Sequence, residues 1–428
     1  MYNYKKLGDV ADFQKGFAFK SKDFKTEGYN IVKVKDLTDN SVSFDKCDSL
    51  SEELAQKHLR YELLEDDIII TTVGSWPSNP ASVVGKVVKV PEVTTPSLLN
   101  QNTVRIRAKE DITQKYLYYS LKNDKFKDYI VGTAQGSANQ ASITQRDIKN
   151  YDISIPPIEK QVGVETILSL FDDKIENNNA IIANLEEQAQ AIFKSWFVDF
   201  EPFLDEGFVD SEVGLIPKGF SVVRLKEVST RRNGYSYKSK ELNELSDTNM
   251  VTLKNFNRNG GIDFSDTKPI DETERMKEFH YLNSGDILIA CTDLTQNAEV
   301  LGRTISYFEN EEFDKEVYSM DLVKIEPNNI EDQMYIYYYL NSFVFKSFAE
   351  GVATGTTVLH LPKKSIDEFK MVYPSSKLVN EFSNLVKPML LKQNKLTLEN
   401  KKLEEVRDAL LPKLMSGEIR VGEAVESK

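Results

Sequence analysis

The stretch "GFAFKSKDF", residues 16–24, returns as "GYSYKSKEL" at residues 234–242, an offset of 218 positions. Both versions place a glycine before two aromatic residues and end in two lysines that flank a serine, followed by an acid. The same offset, within one position, relates "DIII" at residue 67 to "DILI" at residue 286 and "GTAQGS" at residue 132 to "GVATGT" at residue 351. Such a steady offset predicts two copies of one unit of about 215 residues, far longer than a solenoid repeat.

The length of the chain, 428 residues, allows two or more domains, because a single core rarely grows beyond about 250–300 residues. Two cysteines are present, Cys47 and Cys291, one in each copy at non-equivalent positions. They offer neither a disulfide framework nor a thiolate metal site, which favours a reducing cytoplasm. The first residues lack the apolar core of a signal peptide, and no run of about 18 apolar residues occurs, so we expect a soluble protein.

The charge is unevenly distributed along the chain. A net charge of −13 argues by itself against a nucleic-acid partner. Residues 1–157, however, hold 22 basic and 21 acidic side chains, whereas residues 158–217 hold 3 and 13. The first 35 residues contain eight lysines against four acids. These lysines are either ordinary solvated side chains or a basic patch for a polyanion, which responds to local charge more than to the sum.

Each copy opens with short apolar runs separated by Gly, Pro, Asn and Asp, among them "YNIVKVKDL", "NTVRIRA", "NMVTLKNF" and "GDILIACT". Short β-branched runs with turn residues between them are typical of strands. One aromatic-rich helix is expected in each copy, over "QKYLYYSLKNDKFKDYI" and "QMYIYYYLNSFVFKSFA". We therefore predict the α+β class, with two duplicated, mainly-β globular domains.

After a proline in each copy, the apolar positions step by three and four residues, the spacing of a heptad seam. Two such helices in one chain can satisfy each other as an antiparallel coiled coil, which would relate the copies by a pseudo-twofold axis. Asn178 and Asn400 interrupt the seams at non-equivalent positions, and either fix the register of the pair or are partly exposed. The predicted coiled-coil interface consists of Leu168, Phe171, Ile175, Ile182, Leu185, Ile192, Trp196, Val386, Met389, Leu396, Leu403, Leu410 and Leu414.

These patterns divide the chain into five parts. Globular domains are predicted at residues 1–157 and 218–375, and a central helical spacer at residues 158–200. Residues 201–217 are predicted to be a linker whose aromatic side chains dock, and residues 376–428 a distal helical spacer with a C-terminal tail.

Sequence motifs for catalysis are missing. The chain contains no G-x-x-x-x-G-K-[ST], no G-x-S-x-G and no proline-proline motif with the polar residue that an amino-group methyltransferase requires. The three histidines, His58, His280 and His360, lie in unlike contexts without a partner at ligand spacing. We therefore predict a binding protein with no catalytic and no metal-binding residues.

Two kinds of side chain suit DNA instead. Cations that can hold phosphates surround the repeated stretch in both copies: Lys15, Lys20, Lys22, Arg231, Arg232, Lys238 and Lys240. Amides and hydroxyls that can pair with base edges lie in segments expected to be loops: Thr72, Ser75, Gln135, Ser137, Asn139, Gln140, Thr292, Gln296, Thr354 and Thr356. Ordinary turn chemistry is the alternative for any one of these polar residues. Their identities change between equivalent positions, as expected for two readers of different sequences.

The chain resembles the specificity subunits of type I restriction-modification systems over essentially its full length. The resemblance is carried by "FAFKSKDF", "GSANQASITQRDIKNYDISIPPIEKQ", "QAIFKSWFVDFEPF", "IPKGFSVVRLKEV" and "LLPKLMSGEIRV". It implies that residues 1–157 and 218–375 are target-recognition domains, each reading half of a split site in double-stranded DNA, and that the helical spacers set the gap. The second domain departs from the pattern, because "GVATGTTVLHLPKKSI" lacks the amides of the first copy.

The resemblance also implies partners and cofactors. Two methyltransferase (modification) subunits would dock on the spacers, and endonuclease/translocase (restriction) subunits would join them in a prokaryotic cytoplasm, with no membrane involved. S-adenosylmethionine would be bound by the methyltransferase subunit, ATP and Mg by the endonuclease subunit, and no cofactor by this chain. The alternative is a coiled-coil adaptor whose duplicated domains bind protein or glycan; a self-sufficient nuclease or methylase is disfavoured by the missing motifs.

Overall fold

The computed structural model describes residues 3–76, 83–137, 140–257, 261–293, 299–356 and 358–421. The chain forms two compact units, Met1–Ile175 with Lys402–Lys428, and Glu176–Lys401. Each unit has its own sheets and its own apolar core.

The first copy contains fourteen strands among its described residues, and six helices follow or separate them. The strands are β1 (Asn3–Lys6), β2 (Ala11–Lys15), β3 (Phe24–Lys25), β4 (Tyr29–Val32), β5 (Asp48–Leu50), β6 (Glu62–Leu63), β7 (Ile68–Thr71), β8 (Val73–Gly74), β9 (Val87–Lys89), β10 (Ser97–Leu99), β11 (Thr103–Ala108), β12 (Gln135–Ser137), β13 (Gln140–Ser142) and β14 (Asp152–Ile155). The helices are α1 (Leu7–Val10), α2 (Glu52–Gln56), α3 (Gln114–Lys122), α4 (Asp124–Thr133), α5 (Gln145–Lys149) and α6 (Ile158–Phe197).

The second copy contains twelve strands among its described residues, together with five helices. The strands are β15 (Phe208–Ser211), β16 (Gly214–Pro217), β17 (Ser221–Arg224), β18 (Ser229–Asn233), β19 (Thr248–Val251), β20 (Ile287–Ala290), β21 (Thr292–Asp293), β22 (Thr304–Ser306), β23 (Lys315–Tyr318), β24 (Leu322–Pro327), β25 (Leu359–His360) and β26 (Lys370–Tyr373). The helices are α7 (Leu225–Val228), α8 (Gln333–Leu340), α9 (Phe343–Val352), α10 (Lys363–Asp367) and α11 (Ser376–Ser416).

The two copies repeat the same strand order. The antiparallel sheet β2-β11-β7-β9 of the first unit has its counterpart in β18-β24-β20-β22 of the second. The terminal pair β1-β14 is matched by β17-β26, and the parallel pair β4-β10 by β19-β23. The duplication that the repeated sequence predicts is therefore present in the fold, and the predicted class, two α+β domains with two long helices, is confirmed.

The aromatic segment of each copy is two helices, so the prediction of a single helix was wrong. Asn123 separates α3 from α4, and its side-chain oxygen accepts a hydrogen bond from the backbone N–H of Lys125 (3.0 Å). In the second copy, Asn341 and Ser342 separate α8 from α9. Short polar side chains satisfy backbone groups locally, which favours a new helix start over continuation.

The predicted linker, residues 201–217, carries a short hairpin formed by β15 and β16. Aromatic side chains beside it dock as expected: Phe200 is buried, and its ring lies 6.1 Å from that of Phe208 and 5.9 Å from that of Phe220. Phe203 lies 5.1 Å from the same Phe220 ring. These contacts tie the segment to the core of the second unit.

The long helices α6 and α11 contain 40 and 41 residues, about 60 Å each at 1.5 Å per residue. In the first unit, Leu168 of α6 shares a core with Leu411 and Leu414 of α11. In the second unit, Phe193 of α6 lies against Phe382 of α11, at 5.9 Å between ring centroids. The contacts of Asp172 with Arg407 in the first unit and of Asn178 with Asn400 in the second run in the opposite chain direction along α11, so each unit contains an antiparallel pair of helix segments.

Every residue of the predicted coiled-coil interface is buried or partly buried. At the end of α6, however, the deepest positions are Phe193 and Phe197, each 1% exposed, rather than Ile192 and Trp196 beside them. The heptad pattern does not reveal this pair, because the last turns of α6 pack on the globular domain as well as on α11.

Asn178 and Asn400 are paired. Asn178 is fully buried, and its Nδ2 donates to Asn400 Oδ1 at 2.8 Å. The Nδ2 of Asn400 donates in turn to Asn179 Oδ1 at 2.8 Å. The alternative of partly exposed positions was therefore wrong, because both amides lie within the helix pair of the second unit.

None of the helices in the described part of the chain combines the length and apolar character needed to cross a bilayer.

Candidate nucleic-acid interface

The repeated stretch begins with a glycine in both copies because another strand passes directly beside it. A Cβ on Gly16 would lie 1.7 Å from the carbonyl oxygen of Asn100, and a Cβ on Gly234 would lie 2.0 Å from that of Ser319. The next residue, Phe17 or Tyr235, forms a bridge to the same neighbouring backbone. Only glycine allows this approach, and the chain then leaves the sheet at the same point in each copy.

The three lysines predicted for the first copy are exposed. Lys15 ends β2, and Lys20 and Lys22 lie at the 3₁₀ turn Ser21–Asp23. Within the described part of the chain, none of the three forms an ion pair. Their ammonium groups remain available to an external anion such as a phosphate.

The polar segment around residue 135 is a small sheet, so its assignment as a loop was wrong. Strands β12 and β13 form an antiparallel hairpin, and β13 continues onto β8. Gln135, Ser137 and Gln140 lie on this hairpin and are exposed. Asn139 lies outside the described residues. Because the partner strand β8 is about 65 residues away in sequence and the hairpin lacks apolar alternation, the local pattern gave no strand signal.

Thr72 and Ser75 flank β8 but are buried, 6% and 7% exposed. The backbone of Thr72 accepts a hydrogen bond from Ile143 N–H at 2.9 Å, which fixes the hairpin on the main sheet. Trp76, which sequence reasoning did not select, donates its indole N–H to the carbonyl oxygen of Ser137 at 2.8 Å. Thr72 thus connects the polar hairpin to the main sheet through its backbone, and Trp76 contacts the hairpin directly.

The two arginines of the second copy have protein partners. Arg231 forms a two-pronged ion pair with Asp367, with Nε–Oδ1 at 2.8 Å and Nη2–Oδ2 at 3.0 Å. Arg232 pairs with Glu326 at 2.8 Å. Lys238 and Lys240 are exposed beside the 3₁₀ turn Ser239–Glu241, as Lys20 and Lys22 are in the first copy. The lysines therefore keep the same position in both copies, whereas the arginine charges are neutralised within the protein.

Among the polar residues predicted for the second copy, as among those of the first, one part is buried and another is exposed. Thr292 is buried and donates to Asp321 Oδ1 at 3.2 Å. Thr354 is exposed at a bridge to His360, and Thr356 is exposed as well. Gln296 lies outside the described residues. Two threonines occupy the places of Gln135 and Ser137 on the first copy.

A polar cluster joins the first globular domain to the long helices within the first unit. Arg407 of α11 donates from Nη1 to Asp172 Oδ1 of α6 at 2.8 Å, and Asp172 accepts from Tyr119 of α3 at 2.6 Å. Lys122 lies close by and donates to Asn40 Oδ1 at 2.7 Å. Burial, and secondarily the positive charge of Arg407, lowers the pKa of Lys122 to about 8. Sequence reasoning missed this cluster because its members come from four separate segments.

A duplicated α+β unit with an exposed lysine-bearing turn in each copy, together with long paired helices, is the architecture of a two-module binding protein. The chain belongs to the family described as the type I restriction modification DNA specificity domain, whose model matches residues 1–187 and 217–406. Members of this family are the non-catalytic DNA-recognition subunits of type I restriction systems, so the prediction of a DNA-recognition subunit without catalytic activity is confirmed.

Individual relatives agree with this membership. The type I restriction enzyme MjaIX specificity subunit of Methanocaldococcus jannaschii is 30% identical over 335 residues, 77% of this chain and 74% of the relative. The type I restriction enzyme HindI specificity subunit of Haemophilus influenzae is 22% identical over 364 residues, 72% of this chain and 78% of the relative. The crystal structure of a type I restriction-modification S subunit from M. genitalium has the same fold, with a TM-score of 0.55 and 19% identity over 97% of this chain and 96% of that one.

Proposed function

We propose that each globular domain of this specificity subunit reads one half of a bipartite target in double-stranded DNA, and that the long helices set the gap between the halves. The proposal is carried by one observation: the two copies share a scaffold and a lysine-bearing turn but differ in their exposed polar residues.

The shared and the variable parts suit different components of DNA. Phosphates are the same at every sequence, so a repeated contact such as that of Lys20 and Lys22, or of Lys238 and Lys240, suits the backbone. Base edges differ, and amides or hydroxyls on a hairpin can distinguish them. Gln135 and Gln140 of the first copy can make paired hydrogen bonds to adenine, whereas the exposed Thr354 of the second cannot.

The helices support the role of a spacer. A buried amide pair such as Asn178–Asn400 favours one register over others, because a shifted helix would bury each amide against apolar side chains. A helix pair with one register holds its ends at a fixed separation, and a fixed gap between half-sites requires this.

The remaining partners follow from the same proposal. Two methyltransferase subunits dock on the helices and methylate adenine with S-adenosylmethionine that they bind themselves. Endonuclease subunits that use ATP and Mg join the complex later. This chain supplies the target sequence and the assembly frame for both activities.

A gel-shift experiment tests the proposal. Purified methyltransferase subunit is mixed with a pool of DNA duplexes, with and without this chain, and the bound sequences are determined. We expect a split motif to be enriched only when the chain is present. Enrichment of a motif without the chain would contradict the proposal. The same holds if the chain binds a protein or glycan partner and no DNA sequence is enriched in its presence.

A further inference from the structure

The first copy contains a cavity of about 230 Å³ directly behind its repeated stretch. Aromatic and aliphatic side chains form much of its wall, and charged residues complete it: Phe17, Ala18, Phe19, Lys20, Lys22, Asp23, Leu54 and His58. The rings of Phe17 and Phe19 meet edge to face at 5.0 Å, and His58 lies 4.5 Å from Phe17. The Asp23 carboxylate forms no ion pair within the described part of the chain.

The equivalent place in the second copy is occupied by an arginine of the chain itself. The guanidinium of Arg275 lies over the ring of Tyr235, at 5.1 Å from the centroid. Its Nη2 donates to Glu241 Oε1 at 2.5 Å and to the Tyr235 hydroxyl at 2.7 Å. Tyr235 and Glu241 occupy the positions of Phe17 and Asp23, each 218 residues earlier. The repeated stretch therefore builds an arginine site in the second copy.

The first copy lacks this internal arginine. The 3₁₀ turns Leu59–Tyr61 and Glu278–His280 are equivalent at an offset of 219, which aligns Gln56 with Arg275. Gln56 donates instead to the hydroxyl of Tyr29 at 3.2 Å and does not line the cavity. The neighbouring Arg60 does not fill the space either, because its guanidinium lies over the ring of Tyr61 outside the cavity lining.

We propose that the cavity of the first copy binds the guanidinium group of an arginine side chain that a partner protein supplies. The ring of Phe17 provides the stacking face, and the Asp23 carboxylate accepts the charge-assisted hydrogen bonds, as Tyr235 and Glu241 do for Arg275. The inference rests on the comparison of the two copies and not on how the chain reads DNA.

Size and charge favour an arginine over the other ligands. About 230 Å³ is below the range of about 300–1,000 Å³ typical of small-molecule sites, so the cavity suits one side chain. The two lysines at its edge do not exclude a cation, because Lys238 and Lys240 flank the site that holds Arg275. An anion, by contrast, would lie against the unpaired carboxylate of Asp23.

The test uses the full chain with histidines labelled for NMR, since its three histidines give few signals. His58 lines the cavity, while His280 and His360 serve as internal references. N-acetyl-arginine N-methylamide is titrated into the chain, and the matching lysine compound is titrated into a second sample as the control. We expect the arginine compound, and not the lysine compound, to shift the His58 signals in a saturable way.

Three variants test whether the arginine compound binds in this cavity and at Asp23. Asp23→Asn should weaken binding of the arginine compound by about tenfold, since it removes a charge-assisted contact, whereas Asp9→Asn, an exposed acid of the same unit, should not. Gln56→Arg should fill the cavity from within and abolish the response. Equal binding of the lysine compound, binding unaffected by Asp23→Asn, or no response to the arginine compound would each overturn the proposal.

Discussion

At the scale of single residues, the two copies differ in how their cations are balanced. Lys20 and Lys22 have no carboxylate partner among the described residues, whereas Arg231 and Arg232 are held by Asp367 and Glu326. A cation already paired inside the protein must exchange partners before it can hold a phosphate, which reduces the gain on binding. We therefore expect the proposed contact with the DNA backbone to rest on the exposed lysines rather than on these two arginines.

Replacing Lys20 and Lys22 by alanine should weaken binding to all DNA sequences alike. Each lysine–phosphate pair that is removed should reduce the slope of log affinity against log salt by about one unit, because fewer counterions are released. Binding of the methyltransferase complex to specific and scrambled duplexes across a salt series measures both effects. Lys46→Ala, at an exposed lysine outside the predicted set, is the control.

Gln140→Ala provides the contrast. The variant should leave the slope of log affinity against log salt unchanged, but it should discriminate less between bases at one or two base pairs. Each bidentate hydrogen bond to a base that alanine cannot make should reduce the discrimination by about 1–3 kcal/mol. If the lysine changes altered base preference and the glutamine change did not, the division between shared and variable residues would be wrong.

Lys122 should make the stability of the first unit rise with pH. Its pKa is about 8 in the folded protein and 10.5 for an ordinary lysine, because burial and Arg407 disfavour its charge. Between these values the unfolded chain binds more protons than the folded one, so the free energy of unfolding increases as pH rises from 8. Urea unfolding from pH 7.5 to 9.5 measures this against Lys122→Met, which should lack the increase.

The comparison with Lys122→Met is needed because the ionisation of a second group, Cys47, lowers the stability as the pH rises. Burial raises the pKa of Cys47 from 9.0 to about 12, so the unfolded thiol ionises first and stability falls above pH 9. This effect cancels in the difference between the two proteins. A difference that stays constant with pH would show that Lys122 has an ordinary pKa.

The sequence identified these cations as candidates for binding phosphate, but it did not predict which of them pair with an acidic residue of the protein. Lysines beside a repeated aromatic stretch stand out at any position, whereas the partner of Arg231 lies 136 residues away, at Asp367. Nothing local distinguishes a paired arginine from a free one. Only the folded sheet brings them together.

At the scale of elements, buried amides connect the two long helices within the second unit. Asn178→Leu alone should destabilise the protein, because the buried Oδ1 of Asn400 would lose its donor, at about 1–3 kcal/mol for an unsatisfied buried group. Asn178→Leu with Asn400→Leu should recover this loss or exceed wild-type stability, since apolar side chains pack better at such positions. Chemical unfolding of the two single variants and the double variant gives the coupling between them.

The double variant should also allow more than one register of the helix pair. The gap between the two methylated half-sites should then vary from one target to another. Leu185→Ala, at a partly buried apolar position of the same helix, is the control for a simple loss of packing. Additive effects of the two asparagine changes would contradict the pairing.

Elements with regular apolar spacing could be predicted, and polar ones could not. The seams of α6 and α11 follow from residues such as Leu168 and Val386, which recur every three or four positions. Strands β12 and β13 have the sequence character of a loop, because Gln135 and Gln140 carry no apolar alternation and the pairing with β8 is long-range. The exposed polar hairpin is also the part proposed to contact bases, where function rather than folding sets the residues.

At the scale of the whole molecule, the proposed spacer makes a mechanical prediction. Removing residues 182–188 together with residues 390–396, which include the contact of Glu186 with Gln393, shortens both helices by one heptad in register. Seven residues at 1.5 Å correspond to about 10.5 Å, or about three base pairs. The methylated target should keep both half-sites, and the gap between them should shorten by about three base pairs.

Replacing the same two heptads by heptads of equal length and matching apolar pattern is the control, and it should leave the gap unchanged. An unaltered gap after the paired deletion, with both half-sites retained, would show that the helices do not set the distance.

The central claim is that each copy reads its own half-site, and duplication allows a direct measurement. A chain in which residues 218–375 are replaced by a second copy of residues 1–157 is expressed with the methyltransferase partner, and methylated adenines are mapped by sequencing. Co-purification of the two proteins confirms assembly. We predict a target in which the first half-site appears twice, with the second half-site gone. A target that retains the original second half-site would contradict the account.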